Sequence, residues 1–264
     1  MFTQPNFIIV GTQKGGTTSL YNYLIQHPQI VPSSQKEIHF FDFQYQKGID
    51  WYEAQFASKN SEEFLTGEAS PYYIFHPLVP QRIKQHYPQI KLVVLLRNPV
   101  DRAISHYYHE IRCQIETLSL EETFAAESTR LIGETEKIIS NPDYYSFNHQ
   151  RYTYLSRGIY IEQLQNWLKY FPIEQFLILE SENLYKDPES TVNQTFEFLG
   201  LPQYQLSQYC KYNAGNYPAV NEQIYEYLAD YFEPHNQRLA AYLGREFTWT
   251  LTNNRVTDNV ERSL

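Results

Sequence analysis

Lys14 stands inside a glycine-bearing loop, Gly11-Thr12-Gln13-Lys14-Gly15-Gly16-Thr17-Thr18, and not at its end. An apolar run, Phe7-Ile8-Ile9-Val10, enters the loop, and Leu20, Tyr23 and Leu24 recur at helical spacing behind it. The stretch reads as strand, phosphate loop and helix. Backbone N–H groups at such a helix start, with the helix dipole behind them, bind phosphate oxygens. The nucleotide triphosphatase loop G-x-x-x-x-G-K-[ST] maps onto Gly11, Gly16, Thr17 and Thr18, so threonine occupies the lysine position. The cation has moved into the loop.

A second cation stands at a second strand end. Lys91-Leu92-Val93-Val94-Leu95-Leu96 is a continuous apolar run, suited to a parallel strand covered on both faces, and it finishes at Arg97-Asn98-Pro99. A P-loop kinase would place there an acidic residue for Mg²⁺. A cation there can bind phosphate directly, so no active-site metal is expected; the alternative role for Arg97 is to cap the sheet edge or pair with Asp101. Pro99 opens a helix, and Ser105, two turns along it, is placed to share an anion with Arg97.

Lys36-Glu37-Ile38-His39-Phe40-Phe41 offers two general-base candidates, Glu37 and His39, of which His39 is intrinsically nearer the working pKa. In an extended segment both face one cleft, with Phe40 turned into the core and Lys36 facing oppositely; a loop would release Lys36. His106 and His109 are three apart on one helix, with Glu110 adjacent in sequence, a spacing that could ligate a metal; no further ligand is indicated, and no metal site is expected. No G-x-S-x-G elbow marks a serine hydrolase.

The elements that must carry these residues alternate. Helices are predicted over 49–56, 75–87, 99–113, 159–170 and 188–199, with a closing helical segment over 220–243 interrupted near Pro234. Strands are predicted at 64–71 and 175–179 besides the two already named. Such alternation points to an α/β fold with a central, mostly parallel sheet flanked by helices, in three P-loop-like layers. Residues 114–157 are weakly patterned apart from a helix near 120–131, and are read as an acceptor-side insertion or lid within a single domain spanning 1–264.

Composition narrows the class. At 264 residues, with 42% hydrophobic and 19% charged residues, the chain is ordinary globular material. A formal net charge of −9 argues against a general nucleic-acid or anionic-membrane binder, so any anion site must be local. Two distant cysteines, Cys113 and Cys210, supply neither a disulfide framework nor a Cys-x-x-Cys pair. With no leader-like or membrane-length apolar segment, a soluble cytoplasmic protein is expected.

Three blocks then resemble the sulfotransferases that use 3′-phosphoadenosine 5′-phosphosulfate (PAPS), and more narrowly their heparan-sulfate-type and bacterial branch. They are Thr12 to Leu20, Lys36 to Asp42, and Leu96 to Tyr107. Gly158-Ile159-Tyr160, Trp167-Leu168, Glu182-Asn183-Leu184 with Asp187-Pro188, and Gly244-Arg245 extend the likeness along nearly the whole chain. The resemblance implies that Gln13, Lys14, Gly15, Gly16, Thr17 and Thr18 hold the 5′-phosphosulfate, while Arg97 and Ser105 hold the 3′-phosphate. It implies Glu37 as the base, with His39 orienting the acceptor, Lys14 neutralising the leaving oxygen, and Lys211 contributing to nucleotide binding. Arg157-Gly158 matches by context a segment near the nucleotide. The implied acceptor is a hydroxyl, or an amine, of a carbohydrate or glycolipid. Glycosaminoglycan enzymes often carry a lysine after the glutamate where this chain has Glu68-Ala69-Ser70, which lowers the expectation of a heparan-like polyanion. The competing readings are a P-loop kinase or triphosphatase, and an inactive nucleotide- or glycan-binding relative.

Overall fold

A computed structural model describes residues 3–57, 64–210, 218 and 220–249. Its elements run β1 (Phe7–Gly11), α1 (Thr17–Leu24), β2 (Ile30–Pro32), α2 (Phe40–Phe43), α3 (Ile49–Glu53), β3 (Leu65–Ala69), α4 (Val79–His86), β4 (Lys91–Leu96) and α5 (Pro99–Arg112). There follow α6 (Leu120–Arg130), α7 (Glu134–Ser140), α8 (Phe147–Arg151), α9 (Tyr160–Trp167), β5 (Phe176–Glu180), α10 (Ser181–Lys186), α11 (Pro188–Leu199) and α12 (Glu222–Leu243). The strands form one sheet in the order β2-β3-β1-β4-β5, each neighbouring pair parallel.

The central strands alternate their apolar side chains between two cores, as the period-two geometry of a strand requires. Ile8, Val10, Leu92, Val94 and Leu96 face one core, closed by α4, α5, α9 and α12. Phe7, Ile9, Val93 and Leu95 face the other, closed by α1, α10 and α11. Burial on both faces explains why β1 and β4 read as unbroken apolar runs.

Sheet order fixes where chemistry can occur. From β1 the chain runs to β2 at the sheet edge, returns through β3 between them, then crosses over to place β4 on the opposite side of β1. In such sheets, ligands bind outside the carboxyl ends of strands where the order reverses. The Lys14 loop leaves β1 there and Arg97 leaves β4, with Phe7 paired to Lys91 and Gly11 to Val94. The segment preceding α2 joins the same rim: Ala69 N–H, at the end of β3, donates to Lys36 O at 3.0 Å.

Local readings diverge from the structure at identifiable places. The predicted 75–87 helix begins only at Val79, with proline in its first turn, because Tyr72 to Phe75 form turns whose Ile74 N–H donates to Val10 O. The weakly patterned 114–157 region holds α6, α7 and α8, and α6 starts on a capping box made by Ser119 and Glu122. Pro234 lies inside a continuous α12. Pro234 and Asp230 are exposed, so the carbonyl freed by the missing N–H meets water, while buried Phe232 and Leu239 anchor both flanks. β2, α2 and α10, each of three to six residues, carry too little period to be read in sequence.

Candidate functional site

The loop after β1 is held by its own backbone and by α10. Thr12 N–H donates to Leu95 O at 3.0 Å and Gly15 N–H to Thr12 O at 2.9 Å. The Ser181 hydroxyl is shared between Gly15 O at 2.5 Å and Leu96 O at 2.9 Å. A Cβ at Gly15 would lie 2.5 Å from Leu95 O, so only glycine lets the loop lie this close to β4. Gly16 takes φ +89° at the start of α1, where no side chain caps the helix and no acidic residue sits in the first turn. The dipole of α1 at this uncapped start favours a negative charge.

Lys14 and Arg97 meet at this loop. Arg97 Nη1 donates to Lys14 O at 3.0 Å, and Arg97 O accepts from the Tyr160 hydroxyl at 2.8 Å. Burial lowers the Lys14 pKa, and the nearby charges of Arg112 and Arg97 lower it further against Glu110. Lys14 thus feels two neighbouring cations more strongly than the Glu110 carboxylate, a balance that favours an anion beside it. Ser105 is 8% exposed and its hydroxyl has no hydrogen-bond partner among the described residues. Asn98 caps α5 by accepting from Val100 N–H at 3.0 Å, while its own N–H donates to Glu182 at 2.9 Å. These bonds fix the turn that presents Arg97.

Glu37 and His39 do share a side, but not through an extended strand. His39 adopts φ 53°, the left-handed conformation that histidine visits more readily than most residues. Its Nε2 lies 3.3 Å from Glu37 Oε2 and its Nδ1 lies 2.7 Å from Asp42 Oδ2. Lys36, expected to face away in a strand, hydrogen-bonds Glu37 instead because the segment is a loop. Burial alone would lower the His39 pKa, but the hydrogen bonds to Asp42 and Glu37 outweigh it and push it up to about 10. Burial likewise works to raise Glu37, yet the His39 bond and the Lys36 charge together hold it down to about 2. The two neighbouring carboxyl groups thus favour the imidazolium form of His39, while burial raises the pKa of Asp42 itself.

Glu68 supports this arrangement from beneath. Wholly buried, it accepts from the Ser70 hydroxyl at 2.5 Å, from Tyr52 and Tyr73 at 3.0 Å each, and from Ile38 N–H at 3.3 Å. The Ser70 hydroxyl also accepts from His39 N–H at 3.2 Å. Burial pushes the Glu68 carboxyl up to about 7. Asp42 and the Glu68 network escaped the residue-by-residue reading; the i, i+3 spacing from His39 to Asp42 was the available signal for the former.

His109 on α5 is brought down to about 4 by burial and by the charges of Lys14, Arg112 and Arg151, with Glu37 acting in the opposite sense. One imidazole thus feels both the loop lysine and the base candidate. His106 instead lies buried 3.4 Å from Glu110, and among the described residues no group of three or more His, Cys, Asp and Glu side chains is arranged to hold a metal ion. Arg157 is buried behind the loop and hydrogen-bonds the Gln13 side chain. Lys211 lies outside the described residues.

Known proteins share this architecture. A family model described as "Sulfotransferase domain" matches residues 4–224. Heparan sulfate glucosamine 3-O-sulfotransferase 5 of Mus musculus is 35% identical over 269 residues, which cover 93% of this chain and 74% of the mouse protein. The membrane-associated sulfotransferase kil1 of Dictyostelium discoideum is 29% identical over 312 residues, covering 93% of this chain and 66% of kil1. Among solved structures, a sulfotransferase from Alicyclobacillus acidocaldarius matches with a TM-score of 0.77 at 32% identity, over 94% of this chain and 99% of that one.

Proposed function

The chain belongs to the sulfotransferase family, and from that premise we propose that it moves a sulfuryl group from PAPS to a hydroxyl, or an amine, of a carbohydrate or glycolipid-like acceptor. Adenosine 3′,5′-bisphosphate is the other product. The observation that carries the proposal is Arg97 at the end of β4, bonded to the backbone of Lys14. A cation occupies the strand end where a Mg²⁺-dependent kinase needs a carboxylate.

In this reading Gln13, Lys14 and the Gly16 to Thr18 segment hold the 5′-phosphosulfate, with Gly15 shaping the loop through its bond to Thr12, and Arg97 with the Ser105 hydroxyl holds the 3′-phosphate. PAPS supplies the sulfuryl group. Glu37 takes the proton of the acceptor hydroxyl as the new oxygen–sulfur bond forms, and Lys14 neutralises the bridging oxygen as the old bond breaks. The contribution of the chain is in-line positioning and charge stabilisation. His39, protonated and pinned by Asp42, orients Glu37 and leaves proton abstraction to the carboxylate.

A glycan acceptor is supported by the mouse relative, named for transfer to heparan sulfate. Ala69 is fully buried after a fully buried Glu68, so this stretch offers no cation to a polyanion. A less charged saccharide or glycolipid fits better. Residues 114–157 are the acceptor-side cover. The cysteines Cys113 and Cys210 are exposed and unpaired, which supports a reducing compartment such as the cytoplasm. Among the described residues no helix is long and apolar enough to cross a membrane.

A thermal-shift series separates this reading from a nucleotide kinase. Adenosine 3′,5′-bisphosphate should raise Tm in the presence of EDTA, whereas stabilisation by ATP with Mg²⁺ alone would favour the kinase.

A further inference from the structure

Arg157 is 1% exposed, yet none of its hydrogen bonds goes to a carboxylate. Its Nη2 donates to the carbonyls of His149 at 3.2 Å and Gln150 at 2.8 Å, in α8, and its guanidinium lies 5.0 Å from the Tyr72 ring and 5.1 Å from Phe75. The chain around it is fixed. Arg157 O accepts from Gln163 at 2.9 Å, and a Cβ on the next residue, Gly158, would strike the Phe232 ring at 2.5 Å. Of the other two guanidinium nitrogens, Nε is buried with no hydrogen-bond partner among the described residues, and Nη1 reaches across to the side chain of Gln13 in the phosphate loop.

A guanidinium has donors only, so the single end of the Gln13 amide that can face it is the carbonyl oxygen. The amide nitrogen is thereby turned away from Arg157. Its two N–H groups have no partner among the described residues, and Gln13 is partly exposed beside Lys14. An unconstrained glutamine offers an anion its carbonyl as readily as its amide nitrogen, and the carbonyl repels it.

We infer that Arg157 is a positioning residue that locks the Gln13 amide with its N–H groups toward the sulfuryl donor, and that it ties this orientation to α8 in the acceptor-side cover. The inference rests on the donor reading above. Arg157 itself touches no substrate; it acts through Gln13.

Calorimetry with adenosine 3′,5′-bisphosphate, side-chain amide NMR of ¹⁵N-glutamine-labelled protein and Tm form the test. In wild type the nucleotide should shift the Gln13 NH₂ pair. Arg157→Lys keeps a donor-only partner and should hold the nucleotide affinity within roughly threefold. Arg157→Gln can face either end of the amide, and should weaken nucleotide binding by roughly tenfold and split the Gln13 signal. Gln13→Glu should keep or raise Tm, since its carboxylate meets Arg157 as an ion pair, while losing at least as much affinity as Arg157→Gln. If Gln13→Glu, whose fold Arg157 supports, binds as wild type does, or if Arg157→Gln is folded and binds unchanged with one Gln13 signal, the inference is wrong. Absence of nucleotide binding by wild type would instead overturn the donor reading, and this inference with it.

Discussion

Replacing Asp42 by asparagine should loosen the hold on the His39 proton. The ring now lies 2.7 Å from Asp42 and 3.3 Å from Glu37, and these two carboxylates carry its pKa from 6.5 to about 10. A carboxylate at contact moves a neighbour by roughly one to three pH units. Asp42 is the closer partner and its side chain is fully buried, whereas that of Glu37 is 39% exposed, so Asp42 should supply the larger share. Asp42→Asn is therefore expected to bring His39 down by about two pH units. ¹H–¹³C spectra of the His39 Cε1–H between pH 5 and 11 would follow this directly. Stability should move with it. The folded pKa lies above the unfolded value, so the stabilisation from His39 is whole below pH 6.5 and drains away as pH rises toward about 10. At roughly 1.36 kcal/mol per pH unit the loss is at most about 4–5 kcal/mol, less what solvent at Glu37 screens. Urea unfolding at pH 6, 8 and 10 should show that slope in wild type and a shallower one in Asp42→Asn. A wild-type His39 that titrates near 6.5 would refute the imidazolium and reopen His39 as the base.

Three further outcomes follow from the same geometry. Glu37→Gln should lower kcat by roughly 10²–10⁴ while leaving adenosine 3′,5′-bisphosphate affinity unchanged by calorimetry, because it removes only the proton acceptor; near-normal turnover, with His39→Ala inactive, would reverse the assignment. Gly15→Ala places a methyl 2.5 Å from Leu95 O, so the loop backbone must move, and nucleotide affinity should fall by roughly tenfold to a hundredfold. Glu68→Gln turns an amide nitrogen toward hydroxyl donors and should cost about 1–3 kcal/mol in urea unfolding at pH 8. In wild type the Glu68 pKa, raised to about 7, means that its contribution is whole below pH 4.5 and lost as pH rises through 7.

The loop half of the candidate site was legible in sequence because its geometry depends on short-range rules. Glycine at 15 and 16 answers to close backbone approach and a left-handed φ, and Arg97 ends a strand whose apolar run marks it as central. The meeting of Arg97 with Lys14 needed only that β1 and β4 be neighbours. The base half was less legible. Its residues were visible, but the left-handed turn at His39, the Lys36 contact and the Glu68 support depend on β3 lying against residues 36–39, a pairing that local pattern does not encode. The 114–157 region was read as weakly patterned because α7 and α8 are short and keep Ile132, Ile139, Tyr145 and Phe147 on or beside them exposed, which blurs any amphipathic period. Arg157 to Gln13 spans 144 positions, and only the folded chain brings them together.

We propose sulfuryl transfer onto a saccharide, with Glu37 as the base and the donor held by Lys14 and Arg97. Incubation with ³⁵S-labelled PAPS and a panel of neutral and acidic oligosaccharides and glycolipids, with EDTA present, tests it most directly. Label should pass to at least one saccharide with wild type and fall at least a hundredfold with Glu37→Gln. Transfer to none of them by a wild type that binds adenosine 3′,5′-bisphosphate, or label passing equally with Glu37→Gln, would contradict it.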